Sequence, residues 1–187
     1  VWPWCAASVL IHLFYFAALI ESYRAGDMGQ VYPIARGSAP LMTATATTLF
    51  IGERRGLAGW CGIVLLVAGV MLLSLRGGRD LARLDRRAVG FALFTAVTIC
   101  AYSVVDGMGA RISGDANAYS AALFVIDGIP LVAFALWRRG WTKVKSIFEY
   151  LPSGMAGGAL SLGSYWIAIW AMTVAPIALV AALRETS

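Results

Sequence analysis

Long apolar runs separated by short polar connections form the dominant pattern along this chain. None of the seven runs shows the strict alternation of apolar and polar positions that a barrel strand needs. A helix crosses a hydrocarbon core of roughly 30 Å with about 20 largely apolar residues. The pattern therefore predicts an all-α bundle whose membrane helices cover Trp4–Ser22, Met28–Ile51, Leu57–Leu75, Val89–Val105, Tyr119–Trp137, Gly154–Met172 and Ala175–Ser187.

Composition identifies lipid as the solvent for these runs. Apolar residues make up 60% of the chain, charged residues make up 13%, and the mean hydropathy is +0.76. A soluble domain usually carries about 25% charged residues. We therefore expect a multi-pass membrane protein, located in the bacterial inner membrane, with the lipid bilayer as its main surroundings.

The positive charge is concentrated in two connections between apolar runs. Residues Arg76 to Arg87 and residues Arg138 to Glu149 each carry a net charge of +3, against +5 for the whole chain. A nucleic-acid-binding protein would spread its basic residues along a groove or a helix face. Basic connections between apolar runs instead contact lipid headgroups and set orientation, so nucleic acid is not an expected partner.

Cysteine and histidine usage argues against a metal centre or a catalytic triad. Cys5, Cys61 and Cys100 lie inside apolar runs without a CxxC pair, as small packing residues do. His12 is the sole histidine, so this chain alone cannot assemble a histidine-based metal site or a Ser/His/Asp triad. We expect no cofactor and no enzymatic activity.

An internal repeat links the beginning of the chain to its end. Residues Met28 to Arg36 match Pro176 to Arg184 at an offset of 148, and each segment ends in an arginine. Upstream, Tyr15 to Leu19 parallels Tyr165 to Ile169 at an offset of 150. Run one thus pairs with run six, and run two with run seven. Partners five runs apart cross the membrane in opposite directions, which is the inverted repeat of many secondary transporters.

The same segments carry a family resemblance. Tyr23 to Arg36, followed by Ala39-Pro-Leu and by Phe50-Ile-Gly-Glu53, is similar to the EamA-type branch of the drug/metabolite transporter superfamily, and so is Ala175 to Ser187. The resemblance implies ten helices in two inverted five-helix repeats. On that template, this chain supplies about seven helices.

The resemblance also implies a domain organisation. Residues 1–75 form the last three helices of the first repeat, 76–88 form a basic inter-repeat connection, and 89–187 form the first four helices of the second repeat. The first run lacks an initiator methionine and the last run has 13 residues. We therefore expect the chain to be part of a longer protein.

Arg36 and Arg184 are the most informative candidates for a substrate-binding site. An arginine at the bilayer midplane costs about 2.5–3.5 kcal/mol on insertion scales unless it faces a cavity or a partner. Each arginine either recognises an anionic group in the transport path or is a structural residue satisfied by carbonyls or a carboxylate. In the first case both serve one central site near Tyr15 or Tyr165, where one guanidinium holds an anion and the other pairs elsewhere.

Aromatic and acidic residues complete the set of candidates. The aromatic substrate-binding candidates either line a cavity or pack against lipid and helices; they are His12, Tyr15, Tyr102, Tyr165 and Trp166. Asp127, Glu185 and Asp106 are candidates for proton coupling. Asp106 otherwise lies at the interface, and Glu185 lies on a different helical face from Arg184. Glu53 fits a helix cap or an interfacial pair, and the GxxxG segment from Gly154 to Gly158 fits helix packing.

The favoured function is a secondary transporter that moves small organic metabolites, amino-acid-like or drug-like solutes, by alternating access between the repeats. The alternatives are a non-catalytic membrane scaffold, a lipid-handling protein or, with no HExxH, GxSxG or paired-Asp motif in its favour, a membrane-embedded enzyme. A homo-oligomer is compatible with each of them. The positive-inside rule predicts cytoplasmic basic connections, whereas the ten-helix layout with cytoplasmic termini predicts external ones.

Overall fold

All regular structure in the described part of the chain is helical. The computed structural model describes residues 1–26, 28–54, 56–77, 86–144 and 150–185. Each of the seven apolar runs forms a helix, so the predicted all-α fold is confirmed. The helices are α1 Trp2–Ala25, α2 Met28–Ala46, α3 Leu57–Gly77, α4 Arg86–Ser113, α5 Ala116–Val144, α6 Leu151–Val174 and α7 Ile177–Arg184, and a π-helical segment, Thr47–Ile51, extends α2.

Four of these helices are long and apolar enough to cross a bilayer. They are α1, α4, α6 and the Ala116–Arg138 portion of α5, whereas α3 contributes a shorter apolar stretch, Leu57–Leu72. Large apolar side chains of α5 and α6, such as Val132 and Leu160, are exposed. Lipid is the solvent that suits such surfaces, so the chain has the architecture of a multi-pass membrane protein.

Helix α4 is the centre of the bundle and contacts α1, α2, α5, α6 and α7. Small residues allow this close packing, because a larger side chain would displace a neighbour. A Cβ atom at Gly109 would lie 2.6 Å from the ring of Tyr119, and one at Gly107 would lie 2.7 Å from Ile177. The buried face of α4 therefore brings α5 and α7 close to the helix axis.

Helix α2 is irregular at the level of the candidate site. Pro40 lies inside the helix and has no N–H, so it cannot donate the usual helical hydrogen bond to the carbonyl of Arg36. After Ala46 the helix continues as a wider π-helical segment, Thr47–Ile51. Gly52 then ends it with a φ of 72°, a left-handed conformation that favours glycine.

The predicted connection at 106–118 is wrong. Helix α4 continues to Ser113 and α5 begins at Ala116, so the two helices are joined by Gly114 and Asp115 alone. Gly114 has a φ of 71°. Asp115 caps α5, because its Oδ1 accepts backbone N–H groups of the first turn at 2.8 and 3.1 Å.

The connection between the sixth and seventh runs was predicted at residues 173–174, but it lies two residues nearer the C-terminus. Helix α6 runs to Val174, and the junction with α7 consists of Ala175 and Pro176. Ala175 is extended and donates its N–H to the carbonyl of Ala171 at 2.9 Å. Gly26 at the end of α1 is also extended and donates to the carbonyl of Ser22 at 3.2 Å. The residues that end α1 and α6 thus share an extended conformation and the same backbone hydrogen bond.

The GxxxG segment does not pack as predicted within the described residues. Open space surrounds the Cβ positions of Gly154, Gly157 and Gly158, and the first half of α6 is exposed. Most of the basic inter-repeat connection, residues 78–85, lies outside the described residues, as does the side chain of Lys143.

Candidate functional site

A cavity of about 450 Å³ lies between α1, α2, α4, α5, α6 and α7. The structure brings seven of the ten predicted site residues together in its wall. These are His12, Tyr15, Arg36, Tyr102, Asp127, Tyr165 and Arg184. The other three do not line the cavity. Glu185 and Asp106 bind residues of the wall from behind, and Trp166 points away from it.

Helical spacing explains how the wall is assembled. His12 and Tyr15 are three residues apart on α1, so they share one face. On α6, Ser161, Ser164 and Tyr165 follow the same rule and all line the cavity. Six helices thus contribute to one cavity, with few residues from each.

Arg36 and Arg184 meet on the carboxylate of Glu185. Arg36 donates from Nη1 to Oε2 at 2.8 Å, and Arg184 donates from Nη2 to Oε1 at 2.7 Å. The Glu185 side chain is 1% exposed, whereas those of Arg36 and Arg184 are 27% and 15% exposed. Buried charge-assisted pairs of this kind are short and directional. Glu185 therefore forms a bridge behind the two guanidiniums, which face the cavity.

This bridge corrects two expectations. Of the two guanidiniums at the predicted common site, one is expected to pair elsewhere, but both bind the same carboxylate. Glu185 was expected on a different face from Arg184. It is instead the residue at the end of α7, where its N–H still bonds to the carbonyls of Ala181 and Ala182 at 3.1 and 3.2 Å. The end of the helix frees its side chain to turn toward its neighbour.

Aromatic rings surround Arg184. Its Cζ lies 5.2 Å from the ring centre of Tyr102 and 5.3 Å from that of Tyr165. Its Nη2 also donates to the hydroxyls of Tyr102 at 3.1 Å and of Ser103 at 3.3 Å. Cation–π contacts of a desolvated guanidinium contribute about 2 kcal/mol or more. These contacts hold Arg184 in one position in the absence of any solute.

Arg36 has a lighter aromatic environment. Its Cζ lies 5.2 Å from the ring of Tyr32 on the same helix. Tyr15 also lines the cavity and packs edge-on against Tyr102, with ring centres 5.7 Å apart. Arg36 is thus the more exposed of the two guanidiniums and the better placed for contact with a solute.

Asp106 is not interfacial, as one interpretation of the sequence had it, but fully buried beneath the cavity. Its carboxylate accepts a hydrogen bond from the hydroxyl of Tyr119 at 3.0 Å and another from the hydroxyl of Tyr165. Two donors satisfy the buried carboxylate. Because Tyr165 lines the cavity, Asp106 fixes the position of one of its walls.

His12 and Asp127 face each other across the wall formed by α1 and α5. Nδ1 of His12 lies 3.7 Å from Oδ1 of Asp127, which is beyond hydrogen-bond length. Within the described residues neither of these two buried atoms has a hydrogen-bond partner. The ring of His12 stacks at a tilt on Tyr102, with ring centres 4.5 Å apart.

Trp166 does not line the cavity. Its Nε1 donates to the side-chain oxygen of Asn117 at 2.8 Å, and its ring packs against Phe124 with centres 6.0 Å apart. The adjacent Tyr165 points inward instead, because neighbouring positions on a helix face different directions. Phe124 itself lines the cavity and was not predicted, although its spacing of three from Asp127 indicates a common face.

A second ionic cluster joins helix ends outside the cavity. Arg111 of α4 donates from Nη2 to Glu53 at 2.8 Å and to the carbonyl of Ala175 at 2.9 Å, and from Nε to the carbonyl of Met172 at 2.8 Å. Glu53 also accepts the backbone N–H of Ile177 at 3.1 Å. Glu53 is therefore both a cap for α7 and an ion-pair partner.

No group of three or more metal-ligating side chains that could hold a metal ion occurs among the described residues.

Comparisons with known proteins give a short match to exporters. The chain is 33% identical over 60 residues to proteins named spermidine export protein MdtI from Klebsiella pneumoniae and Shigella flexneri. The match covers 32% of this chain and 55% of each relative, so the chain spans about half the length of the curated relatives it matches. No protein-family profile matches the chain, and no solved structure matches it.

Proposed function

We propose that this chain is part of a secondary transporter for small organic solutes, and that the cavity is its substrate-binding site. The observation that carries the proposal is the meeting of Arg36 and Arg184 on Glu185 at the cavity wall. These arginines hold matching positions in the repeat of the sequence. Ionisable groups inside membrane helices are costly, and they commonly mark solute or ion pathways.

Alternating access between two inverted repeats is the proposed mechanism. It is supported by the matched extended junctions at Gly26 and Ala175, which precede α2 and α7. It is also supported by the direct packing of α2 against α7, because an axis relating the two repeats would pass between equivalent helices. The proposed boundaries are those of an EamA-type protein, with residues 1–75 in the first repeat and 89–187 in the second.

The cavity suits a small solute with an anionic group. The Arg36 side chain is 27% exposed, against 1% for Glu185, and it lines the cavity, so an anionic group of a solute has access to its guanidinium. Tyr15, Tyr102 and Tyr165 add flat apolar surface, which accommodates amino-acid-like or drug-like bodies. The short similarity to exporters supports transport of a small solute, and the bacterial inner membrane is the proposed location.

Uptake into proteoliposomes tests the proposal. The full-length protein would be reconstituted and exposed to a labelled pool of small metabolites, with empty liposomes and the Arg36→Ala variant as controls. We expect saturable accumulation with wild type alone. Equal accumulation in empty liposomes, or normal transport by a correctly inserted Arg36→Ala variant, contradicts the proposal.

A further inference from the structure

The cavity has a second polar region that the arginine bridge does not explain. Nδ1 of His12 and Oδ1 of Asp127 lie 3.7 Å apart, both buried, and neither has a hydrogen-bond partner within the described residues. His12 as a whole is 9% exposed. Both residues line the cavity, and they belong to different helices, α1 and α5.

Unpartnered atoms of this kind call for a ligand. A buried polar atom without a partner costs about 1–3 kcal/mol, so such atoms are rare unless they have a function. Nδ1 of a neutral histidine that carries its proton on Nε2 is an acceptor, and so is a carboxylate oxygen. Two acceptors that face one space are matched by a donor between them, and a cationic donor also balances the carboxylate charge.

We propose that His12 and Asp127 form a cation-binding subsite of the cavity. The bound species is either the protonated amine of a solute or a coupling proton shared by the two side chains. The inference rests on the proposed transport function, and it deepens it by dividing the cavity into an anion-binding end and a cation-binding end.

The charges around the pair support this division. Arg36 and Arg184 bring positive charge to the cavity wall beside Glu185, whereas Asp127 brings a negative charge to the wall beside His12. The ring of Tyr102 packs against His12 and helps to hold it beside Asp127, with ring centres 4.5 Å apart. The other charged and titratable groups that face the pair from its surroundings are Tyr15, Arg36, Tyr102, Asp106, Tyr165 and Arg184.

The proton alternative has a simple balance. A proton enters from the solution on one side, is shared between Nδ1 of His12 and Oδ1 of Asp127, and leaves to the solution on the other side. No other bond forms or breaks. With the proton present the pair becomes a hydrogen-bonded ion pair that joins α1 to α5, and without it the two helices lose this tie.

Three variants of the full-length protein separate the contributions. Asp127→Asn removes the charge with little change of shape. His12→Phe removes Nδ1 but keeps a ring against Tyr102. Glu21→Gln is the matched control, because it removes the same charge from α1 at an exposed position outside the cavity.

Spermidine is the amine probe, and a pH-sensitive dye inside the liposomes reports protons. If the subsite binds the amine, Asp127→Asn weakens spermidine binding by at least tenfold, and His12→Phe weakens it several-fold. If it binds a coupling proton, both variants lose the pH change inside the liposomes that accompanies solute transport. Glu21→Gln behaves as wild type in either case.

The inference is overturned if correctly inserted Asp127→Asn and His12→Phe match wild type in both measurements. A wild type that binds no spermidine and moves no protons during solute transport overturns it too. Failure of the proposed function has a different signature, which is the absence of any solute transport by wild type.

Discussion

Among the described residues three glutamates form ion pairs with arginine, and they differ in burial. The side chain of Glu185 is 1% exposed, that of Glu53 is 10% exposed, and that of Glu21 is 46% exposed. Glu185 binds two guanidiniums in the wall of the cavity, Glu53 binds Arg111 where helix ends meet, and Glu21 binds Arg24 one turn away. A single kind of contact thus occurs in three settings.

The difference shows how to separate a site from a structural tie in an apolar chain. At Glu53, the carboxylate accepts hydrogen bonds from the guanidinium of Arg111 and from the backbone N–H of Ile177, and the guanidinium also binds two backbone carbonyls of neighbouring segments. Such a cluster holds helix ends together. At Glu185 two guanidiniums converge on one carboxylate and remain open to a cavity. Two guanidiniums that line a cavity favour a ligand with an anionic group.

The largest effect is expected for Glu185→Gln. Removing one partner from a buried ion pair costs about 3–5 kcal/mol, because the remaining charge is left uncompensated. Here two guanidiniums would repel each other across an amide. We expect a large loss of thermal stability and no transport. Tryptophan fluorescence during heating and proteoliposome uptake measure the two effects, and a melting temperature close to that of Glu53→Gln would contradict the comparison.

Arg36→Ala is expected to abolish transport with a smaller loss of stability. Arg184 still compensates Glu185 in this variant, so folding is less affected than in Glu185→Gln. Arg36→Lys keeps the charge but loses the planar fork, and it should reduce transport rather than abolish it. Uptake normalised to the amount of inserted protein is the measurement. Equal uptake by the alanine and lysine variants would indicate that the charge of Arg36 is irrelevant.

The arrangement of helices was largely predictable because the bilayer sets a length scale that apolar runs must meet. The meeting of Arg36 and Arg184 was expected from their matched positions, whereas their common partner was not. Glu185 lies one residue beyond α7, where helical spacing no longer fixes the direction of a side chain. Its place between the arginines depends on the packing of α2 against α7, which the sequence does not specify.

Asp106 shows the same limit. From the local sequence alone, a carboxylate at the edge of an apolar run indicates a position at the membrane interface, and the predicted run therefore ends at Val105. The two hydroxyls that satisfy it belong to Tyr119 and Tyr165, which are 13 and 59 positions away in the chain. Only the folded bundle brings these donors together, so burial of Asp106 follows from tertiary packing and not from local pattern.

Glu53→Gln should have a moderate effect of a different kind. The amide oxygen still accepts N–H groups, but the negative charge that pairs with Arg111 is lost, which costs about 1–2 kcal/mol. Because the cluster lies outside the cavity, we expect unchanged solute affinity and a changed transport rate. Measuring KM and maximal rate separately tests this. A large rise in KM would show that Glu53 affects the cavity. It would remove the distinction between a structural ion pair at Glu53 and a binding site at Glu185.

Glu21→Gln is expected to have the smallest effect, and it sets the baseline for the other three. Glu21 and Arg24 form a pair at 2.7 Å, but the Arg24 side chain is 72% exposed. Exposed pairs contribute about 0.2–1 kcal/mol, since solvent screens the charges and ordering two long side chains costs entropy. We expect melting temperature, KM and maximal rate all within error of wild type, measured side by side with the other variants. A loss of stability or rate comparable to that of Glu53→Gln would mean that burial does not determine how much each ion pair contributes. It would also mean that the ends of α1 contribute to stability or transport through contacts with lipid.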